Sequence, residues 1–367
     1  MYKRTISIQK ILDKINTLIK DINAMRPFSE DLNLVLQSKL RVDWTFNSNA
    51  IEGNTLTYGE TLYFLNFGLT SEGKPLKDYL EARNHAQAID EIFQIVTGKR
   101  PVTESMIKGL HSILLKGIEF TPAKNLQGQI VQKPLHPGKY KLQPNHVLTI
   151  SGKIHKYAEP IHVPLVMEQL MEWLKSDKKL DIIEKAILFH YKFVAIHPFD
   201  DGNGRMARII MNIILMKDRL LPCIISSLNR KLYLQALEKS DMEKQPAYFV
   251  EFVLREYLRN LENFLDILMN KDTISNPDSD TLNFDQRKEY ILNLLKEDVW
   301  AIGQIHKKLP FIKHPTLKSD LNKLLEQKLI QSNGEGKGRI YFRLKESSKK
   351  KEHTLDDVLN IRSPLKD

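Results

Sequence analysis

The sequence has little cysteine and no long apolar run. Cys223 is the single cysteine among 367 residues, which excludes an internal disulfide framework and fits a reducing compartment. No stretch approaches the roughly 20 consecutive apolar residues that cross a bilayer. The opening MYKRTISIQKILDK lacks the apolar core and cleavage site of a signal peptide. These absences predict a cytoplasmic protein without a membrane partner.

Two common nucleotide-binding motifs are also missing. The chain has no G-x-x-x-x-G-K-[ST] and no strand-following G-x-G-x-x-G, so neither of the two usual nucleotide-binding folds is supported. The net charge is +10, and residues 283–367 hold more Lys and Arg than Asp and Glu. A basic C-terminal module of this kind is compatible with DNA binding and equally with a solvated lysine-rich surface.

Helical periodicity dominates what is present. It predicts helices over residues 5–24, 29 into the 40s, 57–67, 75–96, 163–174, 181–196, 204–217, 229–239 and 247–269. The Pro- and Gly-rich stretch from 127 to 160 predicts a loop leading into a small β-hairpin at 147–155, and the polar stretch 271–280 predicts a linker. The fold class is therefore mainly α with a small hairpin, followed by an α+β domain. The predicted boundaries are an N-terminal helical region at 1–74, a core at 75–270, a linker at 271–282, a C-terminal module at 283–345 and a tail at 346–367.

The most informative segment is HPFDDGNGRMAR, from His197 to Arg208. Pro198 disfavours helical geometry at the preceding residue, so the apolar helix before it should end at His197. Glycines then precede the apolar run that begins at Ile209, which predicts a buried helix whose first N–H groups face an open turn. Such a helix start favours an anion such as phosphate.

The charges around this turn fit a triphosphate. Arg205 and Arg208 share one face of the first helical turn, where two cations oppose the helix dipole unless an anion lies between them. Asp201 brings a carboxylate that could hold Mg²⁺ bridging phosphates. His197, with an ordinary pKa of about 6.5, suits a general base.

The segment resembles the signature of Fic-domain proteins, H-x-F-x-[DE]-G-N-G-R-x-x-R, at all of its fixed positions. The resemblance implies the Fic helical fold and transfer of AMP from ATP to a Ser, Thr or Tyr hydroxyl of a protein target. It implies that His197 deprotonates the target hydroxyl and that Asp201 binds Mg²⁺. It also implies that the segment after Asp201 binds the phosphates, through Gly202, Asn203, Gly204, Arg205, Met206, Ala207 and Arg208.

An upstream segment, Ser48-Asn49-Ala50-Ile51-Glu52-Gly53, resembles the inhibitory motif of the same family, [ST]-x-x-x-E-[GN]. The resemblance implies that Glu52 pairs with Arg208 and blocks the γ-phosphate position. Glu52 lies at the negative end of its helix, which is unfavourable in isolation. Ser48 lies one turn earlier on the same face and could orient the Glu52 carboxylate.

The family also suggests where the other substrates contact the protein. The hairpin at 147–155 is similar in position to the flap on which a target segment adds as a strand, and it is compatible too with a purely structural hairpin. Residues expected near the nucleoside are Thr149, Ile150, Ser151, Gly152, Tyr233, Leu234 and Asp241. Leu234 and Asp241 depart from the aromatic residue and the asparagine common in related members, and Tyr233 is also compatible with a core aromatic.

The C-terminal module resembles a winged helix less specifically. Its third helix, at 315–327, could enter a DNA groove with Lys318 and Lys323 outward, and Lys337 and Arg339 on the wing could touch phosphates. A packing or homodimerisation module is the alternative. Three functions are thus compatible with the sequence: an AMP transferase that could also modify itself or remove AMP, a nucleotide-sensing DNA-binding regulator, and a Fic transferase with another nucleotide donor such as UTP.

Overall fold

The computed structural model divides the chain into two compact units, Met1–Met269 and Asn270–Asp367. It describes residues 2–28, 30–124, 129–148, 154–177, 179–269, 284–295, 299–309, 312–334 and 339–343. Each unit is described by itself below. The predicted linker 271–282 and tail 346–367 lie outside the described residues, and the finer division at residue 75 remains a prediction.

The first unit is built from helices, and most of them agree with the sequence-based prediction. Their bounds are α1 Ile6–Ala24, α2 Glu30–Ile51, α3 Tyr58–Phe67, α4 Leu76–Thr97, α5 Glu104–Leu114, α6 Val163–Ser176, α7 Ile182–Ile196, α8 Asn203–Lys217, α9 Arg230–Met242 and α10 Ala247–Met269. Short 3₁₀ turns at Pro160–His162 and Ser227–Asn229 precede α6 and α9. In the part of the chain that the structure describes, no helix combines the length and the apolar character of a membrane span.

Helix α8 lies at the centre of this unit. Every residue from Met206 to Leu215 is buried, including Arg208 and Asn212. A helix that is apolar on nearly all sides must be surrounded by other elements, and α8 packs on α2, α4, α5 and α7. The first turn of α8, which follows the glycine-rich motif, is thereby held rigidly by the core.

Helix α5 was not predicted, although its sequence contains a start signal. The Thr103 hydroxyl accepts a hydrogen bond from the Met106 N–H at 3.2 Å, which caps the first turn. Ile107, Leu110 and Leu114 then form a buried face at helical spacing. The same face carries the buried His111 towards α8, and this histidine proves important for the site.

Two antiparallel hairpins follow α5, of which one was predicted. Strands β3 (Val147–Leu148) and β4 (Ile154–His155) confirm the small hairpin. The prediction of a loop from 127 was wrong, because β2 (Ile130–Pro134) pairs there with β1 (Phe120–Lys124). Four of the five residues of β2 are exposed, so the alternation of buried and exposed residues that reveals a strand in sequence is missing.

The described residues of the second unit form three helices and a three-stranded sheet. Its elements are α11 Phe284–Leu294, β5 Trp300–Ala301, α12 Ile302–Lys308, α13 His314–Glu326, β6 Ile330–Asn333 and β7 Ile340–Arg343. The antiparallel sheet has the strand order β5-β7-β6. Trp300 and Ala301 form a strand because they pair with Tyr341 and Ile340. That this unit is a winged helix stays a prediction.

The core of the second unit lies beneath α13. Leu317, Leu321 and Leu324 are fully buried, as the apolar face in the sequence predicts. The buried Asp320 accepts hydrogen bonds from the Arg287 guanidinium at 2.7 and 3.2 Å, which ties α13 to α11. Replacing either residue by an uncharged one would destabilise the unit, because the other charge would remain buried without a partner.

Candidate active site

His197 lies immediately after α7 in a left-handed conformation, with φ 53° and ψ 61°. Its N–H donates to the Phe193 carbonyl at 3.0 Å and closes the last turn of α7. A non-glycine residue in this conformation is strained by about 1–2 kcal/mol. The helix end predicted from Pro198 is confirmed, and the reversal of the chain turns the imidazole towards the start of α8.

The loop between His197 and α8 is fixed on both sides. The buried Phe199 ring stacks on His111 with 3.8 Å between ring centroids. The Asn203 side chain binds both backbone groups of Phe199, accepting from its N–H at 2.9 Å and donating to its carbonyl at 2.8 Å. The Asn203 side chain therefore holds the loop in place, and only the backbone N–H of Asn203 is left to bind an anion.

The start of α8 presents free N–H groups. Gly202 is the N-terminal cap with φ 75° and has no side chain to accept from the first turn. Helices lack intrahelical acceptors for their first N–H groups, which here belong to Asn203, Gly204 and Arg205. The Met206 N–H already donates to the Gly202 carbonyl at 2.9 Å. The side chains of Met206 and Ala207 are buried in the core, so these two predicted phosphate-binding residues contribute packing.

Both predicted arginines are buried at this helix start, each 2% exposed. Arg205 lies 3.2 Å from the Glu81 carboxylate and 3.7 Å from Asp201. Its Nη1 atom makes the contact with Glu81, and its Nε atom has no hydrogen-bond acceptor within the described residues. Arg208 donates to the Glu52 carboxylate, the Ser48 carbonyl and the Ser48 hydroxyl. A buried guanidinium with unused donors is suited to a phosphate ligand.

Glu52 covers the start of α8. Its Oε1 atom accepts from Arg208 Nη2 at 2.7 Å, and a Cβ atom added at Gly204 would collide with the same carboxylate. Helix α2 ends at Ile51, and Gly53, with φ 97°, turns the chain so that Glu52 can reach across. The carboxylate thus lies at the positive end of α8, which compensates for its position at the negative end of α2.

Ser48 contacts the arginine of this pair. Its hydroxyl accepts from Arg208 Nε at 3.0 Å and its carbonyl accepts from Arg208 Nη2 at 2.8 Å. The expectation that Ser48 orients Glu52 directly is replaced by this geometry: Ser48 fixes the guanidinium that Glu52 then binds. Spacing along α2 placed both residues on one face but could not show which partner each would take.

Asp201 has the character expected of a Mg²⁺ ligand. Burial opposes ionisation, but Arg205 and the Gly202 N–H outweigh it, and the pKa of the Asp201 carboxyl is lowered. The described residues contain no group of three or more acidic, His or Cys side chains that could hold a metal by themselves. Mg²⁺ commonly binds one or two carboxylates together with substrate phosphates. One ionised, partly exposed carboxylate beside the glycine-rich turn before α8 fits that chemistry.

His197 is neutral over the whole physiological range. Burial lowers the pKa of His197 to about 3, and the Lys141 ammonium acts in the same direction. The Val194 carbonyl and the Asp201 carboxylate act in the opposite direction. A neutral imidazole can accept a proton, but a pKa this low makes it a weak base until negative charge arrives nearby.

The residues predicted to lie near the nucleoside differ in burial and in contacts. Tyr233 is buried, and its hydroxyl lies 3.2 Å from His190 Nε2 and 3.5 Å from Arg208 Nη1. Leu234 is half-buried against the core. Asp241 is partly exposed, accepts from the Tyr191 hydroxyl at 2.7 Å and lies 3.8 Å from His155 of β4. Thr149, Ile150, Ser151 and Gly152 lie outside the described residues.

Several residues of the site were missed by the sequence reading. The Tyr157 ring stacks on the His197 imidazole with 3.9 Å between centroids. His111 Nε2 lies 3.0 Å from the Asp201 carbonyl, and His111 Nδ1 accepts from the Gly138 N–H at 2.9 Å. Lys141 and Asn145 contact the loop that follows His197. These residues come from segments 40 or more positions away from the motif, so no local spacing could reveal them.

Three buried histidines near the site predict an acid-sensitive fold. His85, His111 and His190 are fully buried, and burial lowers the pKa of each, that of His111 to about 4. Below about pH 6.5 the unfolded chain binds protons that the folded chain does not. The free energy of unfolding should therefore fall as pH drops from about 6.5 towards 4, by roughly 4 kcal/mol per pH unit from these three groups. Urea titrations at several pH values measure this slope.

A matched pair of variants isolates the contribution of one histidine. His85→Gln should reduce the slope by about 1.4 kcal/mol per pH unit, whereas His162→Gln, at an exposed position, should leave it unchanged. Equal slopes for wild type and His85→Gln would show that His85 is not held neutral.

One cavity of about 750 Å³ lies away from the motif. It is enclosed by α2, α10 and the segment after α8, including Leu40, Asn47, Leu221 and Phe264. None of the residues from His197 to Arg208 lines it. The candidate active site is thus defined by its charged groups and its helix start, and not by this cavity.

The basic side chains proposed for DNA contact in the second unit are partly engaged. Lys323 lies over the Phe284 ring at 4.9 Å, and Arg339 donates to the Ser332 hydroxyl at 2.8 and 2.9 Å. Lys318 is exposed on α13, and Lys337 lies outside the described residues. DNA binding by this unit stays a prediction.

The fold and the site together define a helical protein whose central helix begins at a glycine-rich turn flanked by two buried arginines and a neutral histidine. Residues 101–215 match the Fic/DOC family. A solved structure of a Fic domain-containing signaling protein from Bacteroides thetaiotaomicron is 33% identical to this chain, with a TM-score of 0.55. The similarity covers 70% of this chain and 91% of that protein. The chain belongs to the Fic/DOC family.

Curated relatives carry a specific activity in their names. Protein adenylyltransferase fic-1 of Caenorhabditis briggsae is 28% identical over 229 residues, which cover 60% of this chain and 41% of the relative. Protein adenylyltransferase Fic of Nematostella vectensis is 31% identical over 223 residues, covering 60% of this chain and 48% of the relative. The chain thus spans less than half the length of these relatives.

Proposed function

We propose that this protein is a protein adenylyltransferase, which transfers AMP from ATP to a hydroxyl group of a protein target. One observation carries the proposal: a neutral His197, the ionised Asp201, the free N–H groups at the start of α8 and two buried arginines meet at a single turn. The names of the relatives support the same activity. The intact histidine favours a transferase over a nucleotide sensor, because sensing requires no base.

The triphosphate would lie along the start of α8. The N–H groups of Asn203, Gly204 and Arg205 point towards an anion there, and the Arg205 and Arg208 guanidiniums neutralise its charge. Asp201 would hold Mg²⁺, which supplies charge neutralisation and orientation to the phosphates. Positioning and charge neutralisation account for most of the catalysis of phosphate transfer. The groups at the start of α8 would supply both.

His197 would accept the proton of the attacking hydroxyl. The target oxygen then forms a bond to the α-phosphorus while the bond to the β-phosphate oxygen breaks, and pyrophosphate leaves. The low pKa of the free imidazole suits this order of events, because the negative charge of bound ATP raises it towards the working pH. The base therefore becomes effective once substrate is present.

Glu52 would act as a brake on this reaction. Its carboxylate occupies the space above Gly204 and holds Arg208, where a terminal phosphate would otherwise bind. ATP would have to displace Glu52 in order to use both Arg208 and the helix start. The brake is built from α2, so whatever moves the end of α2 would regulate the enzyme.

The target would dock on the hairpin formed by β3 and β4. The Cα register pairs Val147 with His155 and Leu148 with Ile154, and His155 lies 3.8 Å from Asp241, one of the residues proposed near the nucleoside. An extended target segment can add there through backbone hydrogen bonds, which leaves side-chain specificity loose. Ser, Thr and Tyr hydroxyls, including those of the enzyme itself, are then all chemically acceptable. We propose further that the same site can remove AMP from a modified target. We also propose that the protein forms a homodimer.

Labelled nucleotides test the activity and the donor together. Purified protein and its Glu52→Gly variant are incubated with Mg²⁺ and ATP labelled at the α-phosphate, and in parallel with ATP labelled at the γ-phosphate. Label should enter protein only from the α-position, and unlabelled UTP or CDP-choline should not compete. Label from the γ-position would indicate a kinase, and competition by UTP or CDP-choline would indicate another donor.

A further inference from the structure

Lys141 carries a buried ammonium group beside the loop between His197 and α8. It lies between β2 and β3 and is only 2% exposed. Its Nζ atom donates to the Asn145 side-chain oxygen at 2.7 Å, and across the described ranges no carboxylate forms an ion pair with it. Burial lowers the pKa of Lys141 to about 8. A buried charge without an ionic partner is costly, so a methionine or leucine would fill this space more favourably.

The contacts of Lys141 lead directly to the residues after His197. Its backbone N–H donates to the Pro198 carbonyl at 2.9 Å. Asn145, whose oxygen is held by the ammonium, uses its Nδ2 group to donate to the Phe199 carbonyl at 2.7 Å. The ammonium fixes the orientation of the Asn145 amide, because it can bind only the oxygen and so leaves the NH₂ group for Phe199.

A second line of contact passes through an aromatic ring. The Tyr157 ring stacks on the His197 imidazole, with 15° between the ring planes. Lys141 Nζ lies 5.8 Å from the centroid of the same Tyr157 ring, which is within the range of a cation–π interaction. Tyr157 is thus held by the ammonium and by the imidazole, and it restricts rotation of the imidazole.

We propose that Lys141 is a positioning residue for His197, acting through Asn145 on the backbone of the loop and through Tyr157 on the imidazole ring. The inference rests on the proposed function of His197 as the base. This role accounts for the buried charge, because the ammonium both donates to Asn145 and makes a cation–π contact with Tyr157, which an apolar side chain could not do.

Two variants of Lys141 separate this role from simple packing. Lys141→Met keeps the length and removes the charge, and it should lower kcat about tenfold, since small displacements of a catalytic group cost this much or more. The KM for ATP should change less than twofold, because the phosphate groups bind elsewhere. Lys141→Arg keeps the charge and should retain at least half of kcat. Lys139→Met, at an exposed position, is the matched control and should be unchanged.

A spectroscopic readout distinguishes failure of this inference from failure of the proposed function. In protein labelled with ¹³C-histidine, the His197 ring resonance, assigned with His197→Asn, should move in Lys141→Met and stay in place in Lys141→Arg. This result requires no transferase activity. Asn145→Ala, which leaves the ammonium in place, should also lower kcat and serves if Lys141→Met does not fold. An unmoved resonance with unchanged kcat in both variants, or a rise in KM alone, would overturn the inference.

Discussion

Replacing Glu52 by glycine is expected to raise the rate of AMP transfer by about a hundredfold. The Glu52 carboxylate makes a charge-assisted hydrogen bond to Arg208 at 2.7 Å, and such a bond contributes about 2–3 kcal/mol. ATP must break it before it can use Arg208, and each 1.4 kcal/mol corresponds to a factor of ten. Incorporation of α-phosphate label into protein at fixed ATP and Mg²⁺ concentrations measures the change.

The same substitution, Glu52→Gly, should lower the thermal stability of the protein without ATP. Arg208 is 2% exposed and would keep only neutral acceptors, which are the Ser48 hydroxyl, the Ser48 carbonyl and the more distant Tyr233 hydroxyl. A buried guanidinium without a counter-charge is destabilising. The melting temperature should therefore fall without ATP and rise more steeply than that of the wild type when ATP is added, because ATP supplies the missing anion.

Two further variants show whether the gain comes from the released carboxylate. Glu52→Ala should raise the rate of AMP transfer as much as Glu52→Gly does. Because alanine does not loosen the backbone as glycine does, this result would exclude a looser end of α2 as the cause. Glu91→Gly removes an exposed, ion-paired glutamate of α4 and should not activate. If wild type and Glu52→Gly transferred label at equal rates, Glu52 would not be a brake, and the proposed function would stand without it.

The chemistry-bearing part of the site was predictable because it is local. The histidine, the carboxylate, the glycines and the two arginines lie within twelve consecutive residues, so helix-start physics alone brings them together. Pro198 fixes the end of α7 and the apolar run from Ile209 identifies α8 as a buried helix. The position of Glu52 at the end of α2 followed from Gly53, whose positive φ ends that helix.

The supporting parts were not predictable because they depend on tertiary contacts. Four of the five residues of β2 are exposed, and β1 and β2 contain Pro122 and Pro134. These strands therefore lack the pattern of a buried strand and exist because they pair with each other. Tyr157 and Lys141 have no spacing that relates them to His197. Ser48 was placed on the correct face of α2, but only the structure shows that it binds the guanidinium of Arg208.

Replacing His197 by alanine is expected to reduce AMP transfer by about 10²–10⁴-fold, which is the usual contribution of general acid–base catalysis. The loss should appear in kcat, while the affinity for ATP stays within twofold of the wild type. The phosphate-binding groups at the start of α8 do not depend on the imidazole, because the Asn203 side chain holds the loop through the Phe199 backbone. Label transfer and calorimetric titration with ATP measure the two quantities separately.

The effect of His197→Ala must also hold when the brake is removed. In the double variant with Glu52→Gly, transfer should be about 10²–10⁴-fold below that of Glu52→Gly alone, because release of the phosphate site cannot replace a missing base. His162→Ala, at an exposed position before α6, provides the matched control and should retain full activity. If the double variant kept more than a tenth of the activity of Glu52→Gly, another group would accept the proton. The neutral imidazole would then serve to orient the target hydroxyl, and the acid limb of the pH–rate profile would report that other group.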